Sequence, residues 1–91
     1  TRRTIAKILG SETRVKILML LIDAHTREIC VKNIAETIGL SHSATSHQLA
    51  KLSDHNIVRP SRDGQTMCYC LTDDQLTHDI VTILKQLDHA N

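Results

Sequence analysis

The middle of the chain contains the pattern that most constrains the fold, two short helices joined by a tight turn. Residues 31–38 form the first helix, and Gly39 follows at the point where a helix commonly ends in a left-handed residue. Ser41 then stands where its hydroxyl can accept a hydrogen bond from a free N–H of a second helix. Leu49 and Leu52 lie three residues apart and share that helix's buried face. The pattern predicts a helix-turn-helix.

The second helix carries small and hydrogen-bonding side chains on the face opposite its leucines. Ser43, Ala44, His47 and Lys51 fall on this face, and His42 lies beside it at the helix start. Such side chains suit the floor of a DNA major groove, so DNA binding is the first hypothesis. The alternative is an ordinary solvated helix surface, because hydroxyl-rich helices also occur without a ligand.

Composition bounds the size and the class of the protein. Ninety-one residues make one domain, and Tyr69 is the single aromatic residue, so the core must consist of Leu, Ile and Val. A small aliphatic core indicates helices that complete their burial in a dimer. There is no signal-peptide pattern and no apolar run of about 18 residues, which predicts a cytoplasmic protein without a membrane span. Three cysteines then indicate reduced thiols rather than a disulfide framework.

The net charge of +1 is low for a nucleic-acid binder, but the charges are unevenly placed. Acidic residues gather in the last fifth of the chain, and basic residues lie in the first two thirds, which predicts that this part faces phosphate. The basic residues in question are Arg14, Lys16, Lys32, Lys51, Arg59 and Arg62.

Shorter patterns predict the elements around the helix-turn-helix. Apolar spacing indicates a short helix before Gly10, a helix that begins at Ser11, and a final helix over 73–90. The helix-turn-helix itself spans 31–54, preceded by a short extended piece at 29–31.

A wing is predicted over 57–71. Residues 57–59 make a short strand whose edge is marked by Pro60, and Asp63-Gly64 is a hairpin turn. Residues 66–71 alternate, which places Met67, Tyr69 and Leu71 on one side. Arg62 and Gln65 flank the hairpin tip, where they can reach a phosphate or the minor groove.

The final helix carries a candidate metal site on the face opposite its apolar stripe. His89 follows His78 by eleven residues, about 20° away on the helical wheel, and Asp74 lies one turn before His78. Eleven residues span roughly 16 Å, too far for both imidazoles to bind one ion. An antiparallel pairing with the same helix of a second chain brings them together twice. Each site then holds Asp74 and His78 of one chain and His89 of the other.

Two imidazoles and a carboxylate suit Zn²⁺, with Co²⁺ or Ni²⁺ as alternatives. The competing interpretation is a solvated polar face. His89 near the helix C-terminus interacts favourably with the helix dipole without a metal, and Lys85 on the same face opposes a dication.

The chain resembles the arsenic- and metal-responsive repressors of the ArsR–SmtB type over nearly its whole length. The matching stretches are 11–18 (SETRVKIL), 29–31 (ICV), 43–49 (SATSHQL), 64–67 (GQTM) and Tyr69. The resemblance implies a fold that is mainly α with a small β-hairpin, a winged helix-turn-helix that dimerises through its terminal helices. It also implies a repressor that metal binding releases from operator DNA, and it adds Ser46 to the DNA contacts.

One branch of that family senses zinc through its last helix, with two ligand histidines spaced like His78 and His89 and a Leu-Asp-His ending like residues 87–89. Two positions depart from this pattern. Leu76 stands where the family has its first Asp ligand, which makes Asp74 the substitute, and the chain stops at Asn91 before the last ligand. A competing alignment starts from residues 71–73, sets Gln75 at the first histidine and leaves no second one.

The cysteines support a second hypothesis. Cys30 matches the first thiolate of another site known in the family, but Lys32 replaces the second. Cys68 and Cys70 share one strand face with Cα atoms about 6.6 Å apart, at the edge of disulfide range. The alternative is therefore a redox, persulfide or thiophilic-metal sensor, and the plain interpretation of each cysteine is a small buried hydrophobic residue.

The sequence thus predicts a dimeric repressor, with a winged-helix protein-interaction module as a further alternative. An enzyme is not expected, because no nucleophile–base pair or Gly-rich phosphate loop is present. A hydrogen bond from a ligand imidazole to backbone near Asn56 is the predicted link between metal and DNA. The predicted DNA contacts are Ser41, His42, Ser43, Ser46, His47, Lys51, Arg62 and Gln65, the metal ligands are Asp74, His78 and His89, and the redox residues are Cys30, Cys68 and Cys70.

Overall fold

The fold is five helices and one small sheet, seen in a computed structural model that describes residues 2–24 and 27–90, with side chains to residue 87. The predicted class, mainly α with a winged helix-turn-helix, is confirmed. The elements in chain order are α1 (Arg2–Leu9), α2 (Glu12–Asp23), β1 (Ile29–Cys30), α3 (Val31–Ile38), α4 (His42–Asp54), β2 (Val58–Asp63), β3 (Thr66–Leu71) and α5 (Gln75–Ala90).

Side-chain and backbone caps set the ends of the central helices as predicted. The Ser41 hydroxyl accepts from the Ala44 N–H at 3.1 Å, and the Ser11 hydroxyl accepts from the Arg14 N–H at 3.3 Å. Gly39 is left-handed, with φ 76° and ψ 34°, and its N–H donates to the Ala35 carbonyl at 2.9 Å. A side chain at Gly39 would strain this conformation, so glycine defines the turn between α3 and α4.

The sheet has three antiparallel strands in the order β1-β3-β2, whereas the sequence predicted a two-stranded hairpin. The additional strand is β1, which pairs Ile29 with Tyr69 and Cys30 with Cys68. Two residues are too few to show an alternating pattern, and their partner strand lies almost forty residues away. The extended piece was recognised from the sequence, but its pairing was not.

The outer strand of the wing is longer than predicted. β2 continues through Pro60 to Asp63, and Pro60 stands opposite Tyr69. Proline is tolerated because β2 is an edge strand. The turn is also displaced by one residue: Asp63 pairs with Thr66, which leaves Gly64 and Gln65 as the two-residue loop, and Gly64 has φ 67°. Glycine at the first loop position satisfies the hairpin geometry that the sequence assigned to Asp63-Gly64.

The central strand β3 is buried on both of its faces, which corrects the predicted one-sided alternation. Cys68 and Cys70 are buried together with Tyr69, while Met67 and Leu71 are only half-buried. β1 and β2 cover the two edges of β3, and contacts with α2 and α3 help to shield its side chains from solvent.

The core is aliphatic, as the composition predicted, and every helix contributes to it. The buried aliphatic residues are Ile8, Ile17, Leu18, Leu21, Val31, Ile34, Leu49, Leu52, Ile57, Val58, Ile80 and Leu84. The apolar stripe of α5 packs on this core through Ile80 and Leu84, whereas 57% of Leu87 is exposed. In the part of the chain that the structure describes, no helix is long and apolar enough to cross a membrane.

Candidate nucleic-acid interface and sensor sites

The helix α4 presents one face to the core and the other to solvent, as its sequence predicted. Thr45, Leu49 and Leu52 are fully buried, and the Thr45 hydroxyl donates to the Ser41 carbonyl at 2.9 Å. The side chains predicted to meet DNA are exposed, with the exception of the half-buried Ser46. The exposed ones on this helix and its cap are Ser41, His42, Ser43, His47 and Lys51.

Arg14 holds α4 against the first two helices. Its Nε donates to the Ile8 carbonyl at 3.2 Å, one Nη donates to the Lys7 carbonyl at 3.0 Å, and the other Nη donates to Gln48 Oε1 at 3.1 Å. The sequence had grouped Arg14 with the residues that face phosphate. The structure corrects this: all three nitrogens of its guanidinium make internal hydrogen bonds. Arg14 therefore positions α4, a role that no local pattern reveals.

We expect Arg14→Lys to destabilise the protein by about 1.5–3 kcal/mol, because a lysine cannot make the three divergent hydrogen bonds of the guanidinium. Urea unfolding followed by circular dichroism measures the effect. Lys16→Ala serves as the control, since Lys16 makes an exposed ion pair with Glu12 at 3.3 Å, and such pairs contribute about 0–1 kcal/mol. Equal effects of the two substitutions would contradict the positioning role of Arg14.

The tip of the wing is exposed and polar. Arg62 lies opposite Met67 in the hairpin, and Gln65 occupies the second loop position next to Gly64. Both side chains are accessible to a nucleic acid, as predicted. Arg59, on the same strand, instead donates to the sulfur of Cys70 at 3.6 Å.

The carboxylate next to His78 is Asp73 and not Asp74. His78 Nε2 lies 2.7 Å from Asp73 Oδ1, and both side chains are exposed. Asp74 instead accepts a hydrogen bond from the side-chain amide of Asn56. The helical wheel failed here because α5 begins at Gln75, so Asp74 precedes the helix on which it was placed. Within one chain the structure thus brings Asp73 next to His78, and the ligand role of Asp74 remains a prediction.

No group of three or more His, Cys, Asp or Glu side chains converges as a metal site among the described residues. The predicted site needs a second chain, and the side chain of His89 lies outside the described part. His78 and Asp73 are exposed oxygen and nitrogen donors in contact, which is a donor pair that Zn²⁺ accepts. The three-residue metal site remains a prediction.

A hydrogen-bonded network joins the end of α4 to the start of α5. Asn56 has a left-handed backbone, φ 57°, and its carbonyl accepts from the Thr72 hydroxyl at 2.7 Å. The hydroxyls of Thr72 and Thr77 are 2.6 Å apart, and both contact the Ile57 carbonyl. Together with the bond between Asn56 and Asp74, these bonds connect the end of α4 to α5, the helix that carries His78. The sequence predicted a link near Asn56 but did not indicate either threonine.

We expect Thr77→Val to cost about 1–2 kcal/mol, because valine keeps the shape but removes the buried hydroxyl that bonds Thr72 and the Ile57 carbonyl. The free energy of unfolding by urea is the measurement. Thr82→Val is the matched control on the same helix, since the Thr82 hydroxyl bonds the His78 carbonyl in an exposed position. The two variants should differ clearly, and similar stabilities would count against the network.

The cysteines pair differently from every arrangement considered from the sequence. Cys30 and Cys68 form a disulfide between β1 and β3, whereas Cys70 keeps a free, buried thiol. The expectation of three reduced thiols and the candidate pair Cys68–Cys70 are both wrong in this structure. The reason is the unrecognised pairing of β1 with β3: it sets Cys30 directly opposite Cys68, and facing residues of adjacent strands lie closer than alternate residues of one strand.

Comparison with known proteins gives a consistent set of similarities. Residues 11–59 match the model described as bacterial regulatory protein, arsR family. The chain is 33% identical to the HTH-type transcriptional regulator KmtR of Mycobacterium tuberculosis over 92% of its length. It is 40% identical, over 69% of its length, to the cadmium resistance transcriptional regulatory protein CadC of Listeria innocua. The crystal structure of the antimony-specific transcriptional repressor AntR superposes with a TM-score of 0.77 at 28% identity, covering 96% of this chain and 77% of that one.

The extent of these matches differs along the chain. The chain spans 62% of the length of KmtR and 51% of that of CadC. The family match covers α2 to the start of β2 and ends before the wing tip and α5. The proteins it resembles carry the names of transcriptional regulators, not of enzymes.

Proposed function

The chain belongs to the arsR family of bacterial regulatory proteins, and we propose that it is a metal-responsive transcriptional repressor. It binds operator DNA as a homodimer and leaves it when Zn²⁺ binds across the C-terminal helices. The observation that carries the DNA-binding part is the exposed face of α4, capped by Ser41 and anchored through Thr45, Leu49 and Leu52.

On this proposal α4 enters the major groove with its N-terminal half against base edges. His42, Ser43 and His47 supply hydrogen-bonding groups there, and Lys51 meets a phosphate. Arg62 and Gln65 at the wing tip contact the neighbouring backbone or minor groove. Two such units related by a two-fold axis read half-sites about one helical turn apart, so the operator is palindromic.

The dimer forms through α1 and α5. On α5, Ile80 and Leu84 face the core of the same chain, whereas Leu87 is exposed and Ile83 half-buried. On α1 only Ile8 is buried, and Ile5 and Leu9 are half-buried. Two copies that pack these helices together cover the apolar side chains that one copy leaves in contact with water, which is favourable by the hydrophobic effect.

The metal is held by His78 with Asp74 or Asp73 from one chain and by His89 from the other. Bound there, Zn²⁺ crosslinks the two chains. Asp73 already contacts His78. It can either bind the ion itself or accept a hydrogen bond from one imidazole nitrogen of His78 and so orient the ring while the other nitrogen binds the ion. The antimony and cadmium in the names of AntR and CadC support sensing of a metal or metalloid in general, and the two imidazoles favour Zn²⁺.

Asp74 provides the coupling between this site and DNA. It bonds Asn56, the residue after the C-cap His55 of α4. A turn of the Asp74 carboxylate toward an ion beside His78 would alter the hydrogen bond that it accepts from Asn56. The position of α4 and the occupancy of the metal site therefore depend on each other, and the same free energy links them in both directions.

The experiment that tests the proposal is a Zn²⁺ titration combined with fluorescence anisotropy on a palindromic operator at fixed salt. About one ion per chain and a fall of operator affinity by tenfold or more are expected. Tight operator binding that Zn²⁺ leaves unchanged would contradict the proposed metal response but support the proposed DNA binding. No operator binding at any salt concentration would favour a winged-helix protein-interaction module.

A further inference from the structure

The disulfide between Cys30 and Cys68 encloses the whole DNA-reading part of the chain. The two cysteines are 38 residues apart in sequence. The segment between them contains α3, α4, β2 and the hairpin tip, and with them every side chain predicted to contact DNA. Cys30 is also the residue that precedes the first turn of α3. The bond therefore joins the start of the helix-turn-helix directly to the wing.

The pairing of β1 with β3, which this disulfide crosslinks, is short. β1 contains two residues, and its register with β3 consists of Ile29 opposite Tyr69 and Cys30 opposite Cys68. One of the two cross-strand pairs is thus the disulfide itself. Opening it leaves a single residue pair between β1 and β3, and the wing then stays on the helix-turn-helix through the packing of β3 on α3 and of β2 on α4. The thiol state therefore changes how firmly the wing and the helix-turn-helix keep their relative positions.

The accessibility of the three cysteines determines which of them reacts first. Cys30 is half-buried, whereas Cys68 and Cys70 are 2% and 5% exposed. A low-molecular-weight disulfide, RSSR, reaches Cys30 first. The Cys30 thiolate attacks one sulfur of RSSR, which forms a mixed disulfide and releases RS⁻. The Cys68 thiolate then attacks the Cys30 sulfur and releases the second RS⁻; each leaving thiolate takes up one of the protons lost by the cysteines.

We propose that Cys30 and Cys68 form a thiol–disulfide switch that sets operator affinity by fixing or freeing the wing relative to the helix-turn-helix. This inference rests on the proposed DNA binding but requires no metal. The disulfide form binds the operator more tightly, because two DNA-contacting elements held in place lose less conformational freedom on binding. Reduction by an excess of thiol, 2 RSH giving RSSR, restores the two cysteines and weakens binding.

The test is operator anisotropy at fixed salt and without metal, after equilibration of the protein with either oxidised or reduced glutathione. Thiol counting on the same samples should give one free thiol in the first and three in the second. We expect operator affinity to be at least fivefold higher in the disulfide form. Cys30→Ser should bind like the reduced protein under both conditions, and Cys70→Ser should respond like the unchanged chain.

A second variant keeps the test independent of folding defects at one position. Cys68→Ala should reproduce Cys30→Ser, with circular dichroism showing that both are folded. Equal operator affinities with one and with three free thiols would overturn the switch, as would three free thiols after oxidation. Absence of operator binding in both the oxidised and the reduced protein would contradict the proposed function as well as the switch. Operator binding that is the same in both would contradict only the switch.

Discussion

His78→Ala combined with His89→Ala is expected to leave operator binding within about twofold of the unchanged chain and to abolish its release by Zn²⁺. The two imidazoles are the nitrogen donors of the proposed site, and a single carboxylate retains Zn²⁺ too weakly to compete. The His78 side chain is exposed, and its imidazole bonds the exposed Asp73. Its removal should therefore change neither the core nor the recognition helix.

Anisotropy titrations of operator, with and without Zn²⁺, measure this effect. Lys85→Ala is the matched control, because Lys85 lies on the same helix and is exposed. It should preserve release and strengthen Zn²⁺ binding slightly, since a positive charge near the dication is removed. Release that persists in the double histidine variant would place the metal elsewhere.

The roles of the Asp73 and Asp74 carboxylates can be distinguished in the same assay. Asp74→Asn keeps an oxygen that can accept from Asn56 but removes the negative charge, and Asp73→Asn does the same next to His78. If Asp74 is both ligand and coupling residue, its variant should lose more of the Zn²⁺ response than the Asp73 variant. The reverse order would assign the ligand role to Asp73 and leave the coupling to the threonine network.

His47→Ala combined with Lys51→Ala is expected to lower operator affinity by about a hundredfold at physiological salt. A base-edge contact contributes about 1–3 kcal/mol and a phosphate contact adds an electrostatic part. Both side chains are exposed on the face of α4 opposite the buried leucines, so stability should stay within about 0.5 kcal/mol.

The two single variants should affect DNA binding in different ways. Lys51→Ala should weaken binding to operator and unrelated DNA alike and reduce the slope of log affinity against log salt by about 1. His47→Ala should mainly reduce the preference for operator over unrelated DNA. Anisotropy at several salt concentrations measures both, with Lys85→Ala as a control far from the DNA face. Affinities unaffected by either substitution would exclude α4 as the reading helix.

Much of the helix-turn-helix was predictable because its determinants are local. The bounds 31–38 of α3, the cap at Ser41 and the left-handed Gly39 all depend on contacts within four residues. The same holds for the exposed face of α4, which follows from the spacing of Leu49 and Leu52. Such features can be derived from the order of the residues alone, because the backbone closes these contacts whatever the rest of the chain does.

The remaining features depend on residues that only the tertiary structure brings together. Arg14 reaches Gln48 across 34 positions, and Cys30 meets Cys68 across 38. The assignment of Asp73 to His78 and of Asp74 to Asn56 depends on where α5 begins and on the turn after α4. Periodicity determined the helices, the wing and the reading face. The packing of distant segments decided which arginine is internal, which cysteines pair and which carboxylate connects the recognition helix to the last helix.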